Sequence, residues 1–250
     1  MIELRNISKR FGSNTVLDNM GFEVKKGEIH ALLGTNGAGK STLIKILAGL
    51  LRQDVGEILY EKAPLDRDAM KNIGFIFDEP LYLPYFSAKE YFEFVCRLIG
   101  METKESKANI DKVIETFSLP ADRQPINTYS NGMKSKVSFA AAIIHSPDFL
   151  VLDEPFNGID FITIREISKI LKERMNAGVG ILITSHQFDI IAELATHFSI
   201  LHESKILLSM PKAQLMGQAE KSFVNQSPDE AVRSYVENAI LSQRKKNIFR

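Results

Sequence analysis

Two clusters of residues could do chemistry. The run Gly34-Thr35-Asn36-Gly37-Ala38-Gly39-Lys40-Ser41 has the spacing G-x-x-x-x-G-K-[ST], in which small residues let the backbone wrap a phosphate group with its N–H groups. Lys40 would reach the β- and γ-phosphates of a nucleotide, and Ser41 would offer its hydroxyl to Mg²⁺. The second cluster is Asp153-Glu154, directly after the apolar run Phe149-Leu150-Val151-Leu152. Ligands of parallel sheets bind at the C-terminal ends of strands, so Asp153 is placed to hold Mg²⁺ through water and Glu154 to act as general base toward an attacking water. The chemistry implied is Mg²⁺-dependent attack of water on a phosphoric anhydride.

The elements needed to hold these clusters are readable around them. Ile29 to Leu33 is nearly continuous apolar sequence after Lys26-Gly27, as a strand covered on both faces should be, and it runs straight into the glycine-rich segment. Leu43, Ile44, Ile46, Leu47, Leu50 and Leu51 then recur at helical spacing, giving the order strand, loop, helix. Ile2, Leu4, Phe22 and Val24 alternate with polar residues, which predicts half-buried antiparallel strands. From about Ser87 to Ser146 the pattern is mostly helical, with Tyr91, Phe92, Val95, Leu98 and Ile99 on one face and Ile110, Val113, Ile114 and Phe117 on another. Strands return at Phe149 to Leu152 and Ile181 to Thr184, separated by a helix around Ile164 to Met175 and a stop at Gly178-Val179-Gly180. Such alternation implies a parallel sheet. Phe198 to Leu201 and Lys205 to Leu208 read as a hairpin, and Pro211 opens a polar tail.

Composition narrows the partners. Lysine plus arginine equals aspartate plus glutamate at 31 each over 250 residues, so no strong net field steers the chain toward nucleic acid, and none is expected as a partner. The single cysteine, Cys96, excludes an intramolecular disulfide framework and fits a reducing compartment. No apolar run approaches the roughly 18 to 20 residues that a spanning helix needs, and the N-terminus lacks a signal-peptide h-region. His30, His145, His197 and His202 show no ligand spacing.

Taken together, the motifs resemble the ATP-binding cassette family, and specifically the nucleotide-binding subunit of an ABC transporter, over about residues 1 to 208. Tyr129-Ser130-Asn131-Gly132-Met133 is similar to the family signature, Asn157-Gly158-Ile159-Asp160 to its D-loop, and Thr184-Ser185-His186 to its switch-histidine segment. The resemblance implies an α/β P-loop cassette: a mixed-sheet RecA-like core, an antiparallel β subdomain, and a helical subdomain inserted at about 86–146. It makes 1–210 one ATP-binding domain and 211–250 a C-terminal tail. It implies ATP and Mg²⁺ as cofactors, with the nucleotide held by Phe11, Val16, Asn36, Gly37, Ala38, Gly39, Lys40, Ser41 and Thr42, and the metal by Ser41, Asp153 and Asp78. Glu154, His186 and Lys40 are the implied catalytic residues. Two such domains would meet head to tail, as a homodimer or a heterodimer, with Ser130 and Gly132 of one contacting the γ-phosphate held by the other. The expected partner is an integral-membrane permease docking near Asp78 to Ile99, which would keep the chain cytoplasmic and peripheral on the inner face of the cell membrane.

The sequence departs from the family pattern in two places. In Ile73-Gly74-Phe75-Ile76-Phe77-Asp78-Glu79-Pro80, Asp78 stands where the family's Q-loop has glutamine. Aspartate is one methylene shorter and charged, yet it remains a hard oxygen ligand. An acid here resembles the variant loop of bacteriocin and lantibiotic immunity transporters, which usually carry glutamate. The form Tyr-Ser-x-Gly-Met resembles ABC-2-type exporters, including multidrug exporters, and favours export over import. Two other readings use the same fold: a non-transport ATPase acting on a ribosome or nucleic acid, and a binding-only subunit with dead catalysis. Against the first, Lys40 and Asp153 lie only about 110 residues apart with no heptad run between them, and the chain holds one cassette. Against the second, Lys40, Asp153, Glu154 and His186 are all present. The basic end, Arg244-Lys245-Lys246 and Arg250, reads as a solvated helix end, with a membrane-surface or partner contact as the alternative.

Overall fold

Two sheets share the labour of placing the phosphate loop. The computed structural model describes residues 1–79, 81–223, 230–236, 238, 239 and 241; Pro80 of the Q-loop segment and the basic C-terminal end lie outside them. β1 (Ile2–Phe11) and β2 (Asn14–Val24) form an antiparallel hairpin. β3 (Ile29–Gly34) follows, then the loop and α1 (Lys40–Leu47). β4 (Val55–Tyr60) and β5 (Ala63–Pro64) complete a four-stranded antiparallel sheet of order β2-β1-β4-β5. A single turn, α2 (Arg67–Met70), leads to β6 (Ile73–Ile76). The helical region comprises α3 (Ala88–Leu98), α4 (Thr103–Thr116), a 3-10 turn at Ile126–Thr128, and α5 (Asn131–Ile143). The chain then alternates through β7 (Phe149–Asp153), α6 (Phe161–Asn176), β8 (Gly180–Ser185), α7 (Phe188–Leu194), β9 (His197–His202), β10 (Lys205–Pro211) and α8 (Lys212–Ser222). The second sheet has the order β10-β9-β3-β8-β7-β6, parallel except for the β9-β10 hairpin.

β3, β7 and β8 are buried along nearly their whole length, as their continuous apolar sequences require. One apolar cluster, including Ile7, Leu17, Leu32, Leu43, Ile44 and Val151, fills the space between the two sheets around α1. A second, including Phe92, Phe139, Leu152, Ile167 and Ile183, joins the helical region to the other face of the six-stranded sheet.

Three expectations need correction. The helix after Lys40 does not continue to Leu51: Gly49 takes φ +69°, and Gly49 N–H donates to Ile46 C=O while Leu50 N–H donates to Lys45 C=O. This left-handed closure ends the helix at Leu47 and leaves Leu50 exposed. In α3, Leu98 also faces solvent and the buried face is completed by Cys96. The segment after Pro211 is not merely a polar tail. Leu215 and Ala219 of α8 are fully buried in the second cluster, as is Ala231; Lys212 Nζ donates to Ala192 C=O at 2.6 Å, and Tyr235 Oη donates to Gln218 Oε1 at 2.7 Å. The apolar positions of this stretch are few, so the sequence pattern understates its docking. Among the described residues, no helix is long and apolar enough to cross a membrane.

If residues after Pro211 belong to the folded unit, Leu215→Ala should cost about 3 kcal/mol, the scale of a buried leucine truncation. A urea midpoint unchanged from the parent would show instead that α8 is dispensable.

Candidate nucleotide site

The site is assembled where β3, β7 and β8 end. Register places Leu33 opposite Ser185 and Asp153 opposite Thr184, so the phosphate loop, the acidic pair and the histidine segment emerge side by side. Sequence-predicted residues Gly37, Gly39, Lys40, Ser41, Asp153, Glu154 and His186 are thereby brought together.

The loop is shaped by backbone that only glycine accepts easily. Gly37 and Gly39 have φ of +80° and +111°, and a Cβ on Gly39 would lie 2.8 Å from the Val16 carbonyl oxygen and from Leu17. This close approach brings Val16 of the β1-β2 hairpin against the loop. The start of α1, like those of α4, α7 and α8, has no side-chain cap. Ser87, Ser130 and Asp160 cap α3, α5 and α6 with their own side chains, whereas Gly39 leaves the first N–H groups of α1 without a side-chain cap. Those donors, with the positive end of the helix dipole, suit an anion. The Lys40 ammonium is buried and donates to Gly34 C=O at 2.7 Å, with Glu154 Oε1 3.3 Å away. Phosphate oxygens would take the place of these partners, so the cradle fits a nucleotide's phosphates.

Glu154 is held from three sides. Its backbone sits at φ +46°, its N–H donates to Thr184 Oγ1 at 3.1 Å, and its Oε2 lies 2.9 Å from His186 Nδ1. Thr184 Oγ1 in turn donates to Asp153 Oδ1 at 2.5 Å. Burial pushes the Asp153 carboxyl above its ordinary range against the hydrogen bonds from Thr184 and Ser41, with the Asp78 and Glu154 charges adding to the rise. The Ser41 hydroxyl and the Asp153 carboxylate are hard oxygen donors that fit Mg²⁺, which takes one or two carboxylates and completes its shell with phosphate oxygens and water; among the described residues no group of three or more His, Cys, Asp or Glu could hold a metal by itself.

Two residues that the sequence reading did not single out tie the site together. The sequence places Thr184 only within the histidine segment, yet its hydroxyl links Asp153 to Glu154. Gln187 donates from Nε2 to Asn157 Oδ1 at 3.3 Å, and Asn157 Nδ2 donates to Asp78 Oδ1 at 3.1 Å. Phe11 is half exposed at the end of β1, with Lys9 Nζ 5.5 Å from its ring centroid; it presents an open aromatic face rather than core packing. Ser130 and Gly132 sit elsewhere. Ser130 Oγ accepts from Met133 N–H at 3.2 Å, and a Cβ on Gly132 would meet Thr163 Oγ1 at 2.8 Å and Asp160 Oδ2 at 2.9 Å. They form a surface with the D-loop end at the start of α6.

Fold and site together define a P-loop ATPase cassette. Residues 17–157 match the family model described as ABC transporter. The chain is 35% identical over 209 residues to the lantibiotic transport ATP-binding protein SrtF of Streptococcus pyogenes, covering 83% of this chain and 90% of that protein. It is 33% identical over 238 residues to the bacitracin transport ATP-binding protein BcrA of Bacillus licheniformis, covering 92% and 76%. A solved ATP-binding subunit of an ABC transporter superposes with a TM-score of 0.83 at 27% identity, covering 95% of this chain and 98% of that one. The chain belongs to the ABC transporter family and is its ATP-binding, ATP-hydrolysing subunit. The non-transport reading is not favoured.

A carboxyl with a raised folded pKa is bound to its proton more firmly in the folded state, so stability falls as the pH climbs above the ordinary value of 3.8. Asp153→Asn removes that loss while keeping an acceptor for Thr184. Nucleotide-free Asp153→Asn should therefore melt higher than the parent at neutral pH, with the gap closing as the pH falls. Parallel melting curves across pH would contradict the assignment.

Proposed function

We propose that two copies of the cassette, identical or paired with a similar subunit, close on two ATP molecules and drive export through a separate membrane permease. The observation that carries this reading is that the signature segment, with Ser130 exposed at the start of α5 and Gly132 buried against Asp160 and Thr163, packs on α6 rather than on the phosphate loop of its own chain. Each chain offers two different half-sites, which suits a head-to-tail pair with complete sites at both contacts.

In such a pair the residues divide the work. Lys40 leaves its carbonyl partners and Glu154 for the β- and γ-phosphate oxygens, and the free N–H groups of α1 hold the same phosphates. Glu154, released on one oxygen and kept by His186 on the other, accepts the proton of the attacking water. His186 keeps this carboxylate oriented and faces the γ-phosphate. Ser130 and Gly132 of the opposite chain add donors to the γ-phosphate at the N-terminus of α5. Phe11 stacks on the adenine with Val16 beside it, while Asn36, Ala38 and Thr42 line the phosphate cradle. Ser41, Asp153 and Asp78 would hold Mg²⁺, which would supply neutralisation of the phosphate charge. Loss of the γ-phosphate removes the contacts that hold the pair closed.

Lantibiotic transport and bacitracin transport, in the names of two relatives, support an antibiotic of that kind as the transported compound. The chain then sits at the inner face of the membrane through its permease.

Glu154→Gln should retain ATP binding, lose hydrolysis by about 10² or more, as removal of a general base does, and accumulate as a dimer by light scattering with saturating ATP and Mg²⁺. A Glu154→Gln chain that stays monomeric under those conditions would contradict the two-chain site.

A further inference from the structure

The three loops that follow β6, β7 and β8 meet in one short hydrogen-bond chain. Asn157 Nδ2 donates to Asp78 Oδ1 at 3.1 Å, and Asn157 Oδ1 accepts from Gln187 Nε2 at 3.3 Å. Gln187 N–H donates to Ser185 Oγ at 2.9 Å. Between Ser185 and Gln187 lies His186, whose backbone N–H and ring nitrogen both face Glu154 Oε2. Asn157 also closes the turn after Glu154 by donating its backbone N–H to the Glu154 carbonyl at 3.1 Å.

The direction of this chain follows from hydrogen-bond inventory. An ionised aspartate only accepts, whereas a side-chain amide has one donating and one accepting end. The carboxylate at position 78 therefore fixes which end of the Asn157 amide turns toward it, and the remaining carbonyl end is the one that can receive Gln187. A glutamine at 78 could donate or accept, and would leave the orientation of Asn157 undetermined. The acid at 78 and the asparagine at 157 are thus complementary, and the pairing is transmitted through Gln187 to the backbone that carries His186.

We propose that Asn157 is a positioning residue matched to Asp78: its amide, oriented by the carboxylate, locks the three loops together and keeps His186 in register with Glu154. The proposal rests on the reading of Glu154 and His186 as the hydrolytic pair, and it adds a residue that acts on them through Asp78, Gln187 and the turn after Glu154.

The test is an exchange cycle in the full chain: the parent, Asn157→Asp, Asp78→Asn, and Asp78→Asn combined with Asn157→Asp. In the exchanged protein the pair is reversed but complementary, a donor at 78 facing an acceptor at 157, and that acceptor still receives Gln187. Asn157→Asp alone sets two carboxylates against each other and should lower kcat for ATP about fivefold, with trinitrophenyl-ATP affinity within about twofold of the parent; the exchanged protein should recover most of that loss relative to Asp78→Asn, as directly coupled neighbours do. Should Asp78→Asn by itself abolish turnover, the same cycle is read from melting temperatures of the nucleotide-free proteins, where the exchange should again be non-additive. Additive effects of the two substitutions, or a parallel loss of trinitrophenyl-ATP binding in Asn157→Asp, would overturn the proposal. Glu154→Gln, run alongside, separates the two failures: full turnover in that variant rejects the hydrolytic assignment, whereas an additive cycle with Glu154→Gln inactive rejects only the relay.

Discussion

Asp153 lies opposite Thr184 across two parallel strands, and the geometry of the nucleotide end depends on that pairing. It puts one hydroxyl within reach of the Asp153 carboxylate and the Glu154 backbone at once. It also sets Ser185 and His186 beside the acidic pair, while the β3-β8 register carries the phosphate loop to the same edge. A slip of one residue would reverse which side chains face each side of the sheet and would separate Thr184 from both acids. The buried apolar faces of β3, β7 and β8 are what forbid that slip, so packing far from the chemistry determines whether the chemistry can occur.

The site balances buried charge internally. Lys40 and Glu154 are each less than a tenth exposed and stand 3.3 Å apart, because either alone would be costly to bury. This pairing holds the lysine on backbone carbonyls and the glutamate on His186, close to where each would act. On the proposed reading, incoming phosphates take over the lysine and free one oxygen of the glutamate, so nucleotide binding itself prepares the base. On the same reading the capped N-terminus of α5 and the surface around Gly132 serve the loop of a second chain rather than that of their own.

Much of this arrangement was readable from local sequence. A glycine-rich loop between a strand and a helix, and acids after an apolar strand, are constrained by their neighbours in the chain, and the structure brings them together as their spacing predicts. The expectations that needed correction or addition depend on contacts distant in sequence or on weak patterns. Leu50 and Leu51 continued the helical period, but Gly49 stops the helix by its backbone conformation. Leu215 and Ala219 offered too few apolar positions to announce that α8 docks. The hydroxyl of Thr184 and the amide of Asn157 gain their partners only through strand register, at separations of 31 and 79 residues. Asp78 was visible as a departure from the family pattern, but its complement was not, because that complement lies on another loop.

On the proposed reading a complete hydrolytic site needs two chains. The most direct measurement is the Mg²⁺-dependent ATP hydrolysis rate per subunit as the concentration of the purified chain is raised. The rate per subunit should climb with concentration toward a plateau, because each added chain completes sites on another. A substantial rate per subunit, constant down to concentrations at which light scattering finds only monomer with ATP bound, would contradict it.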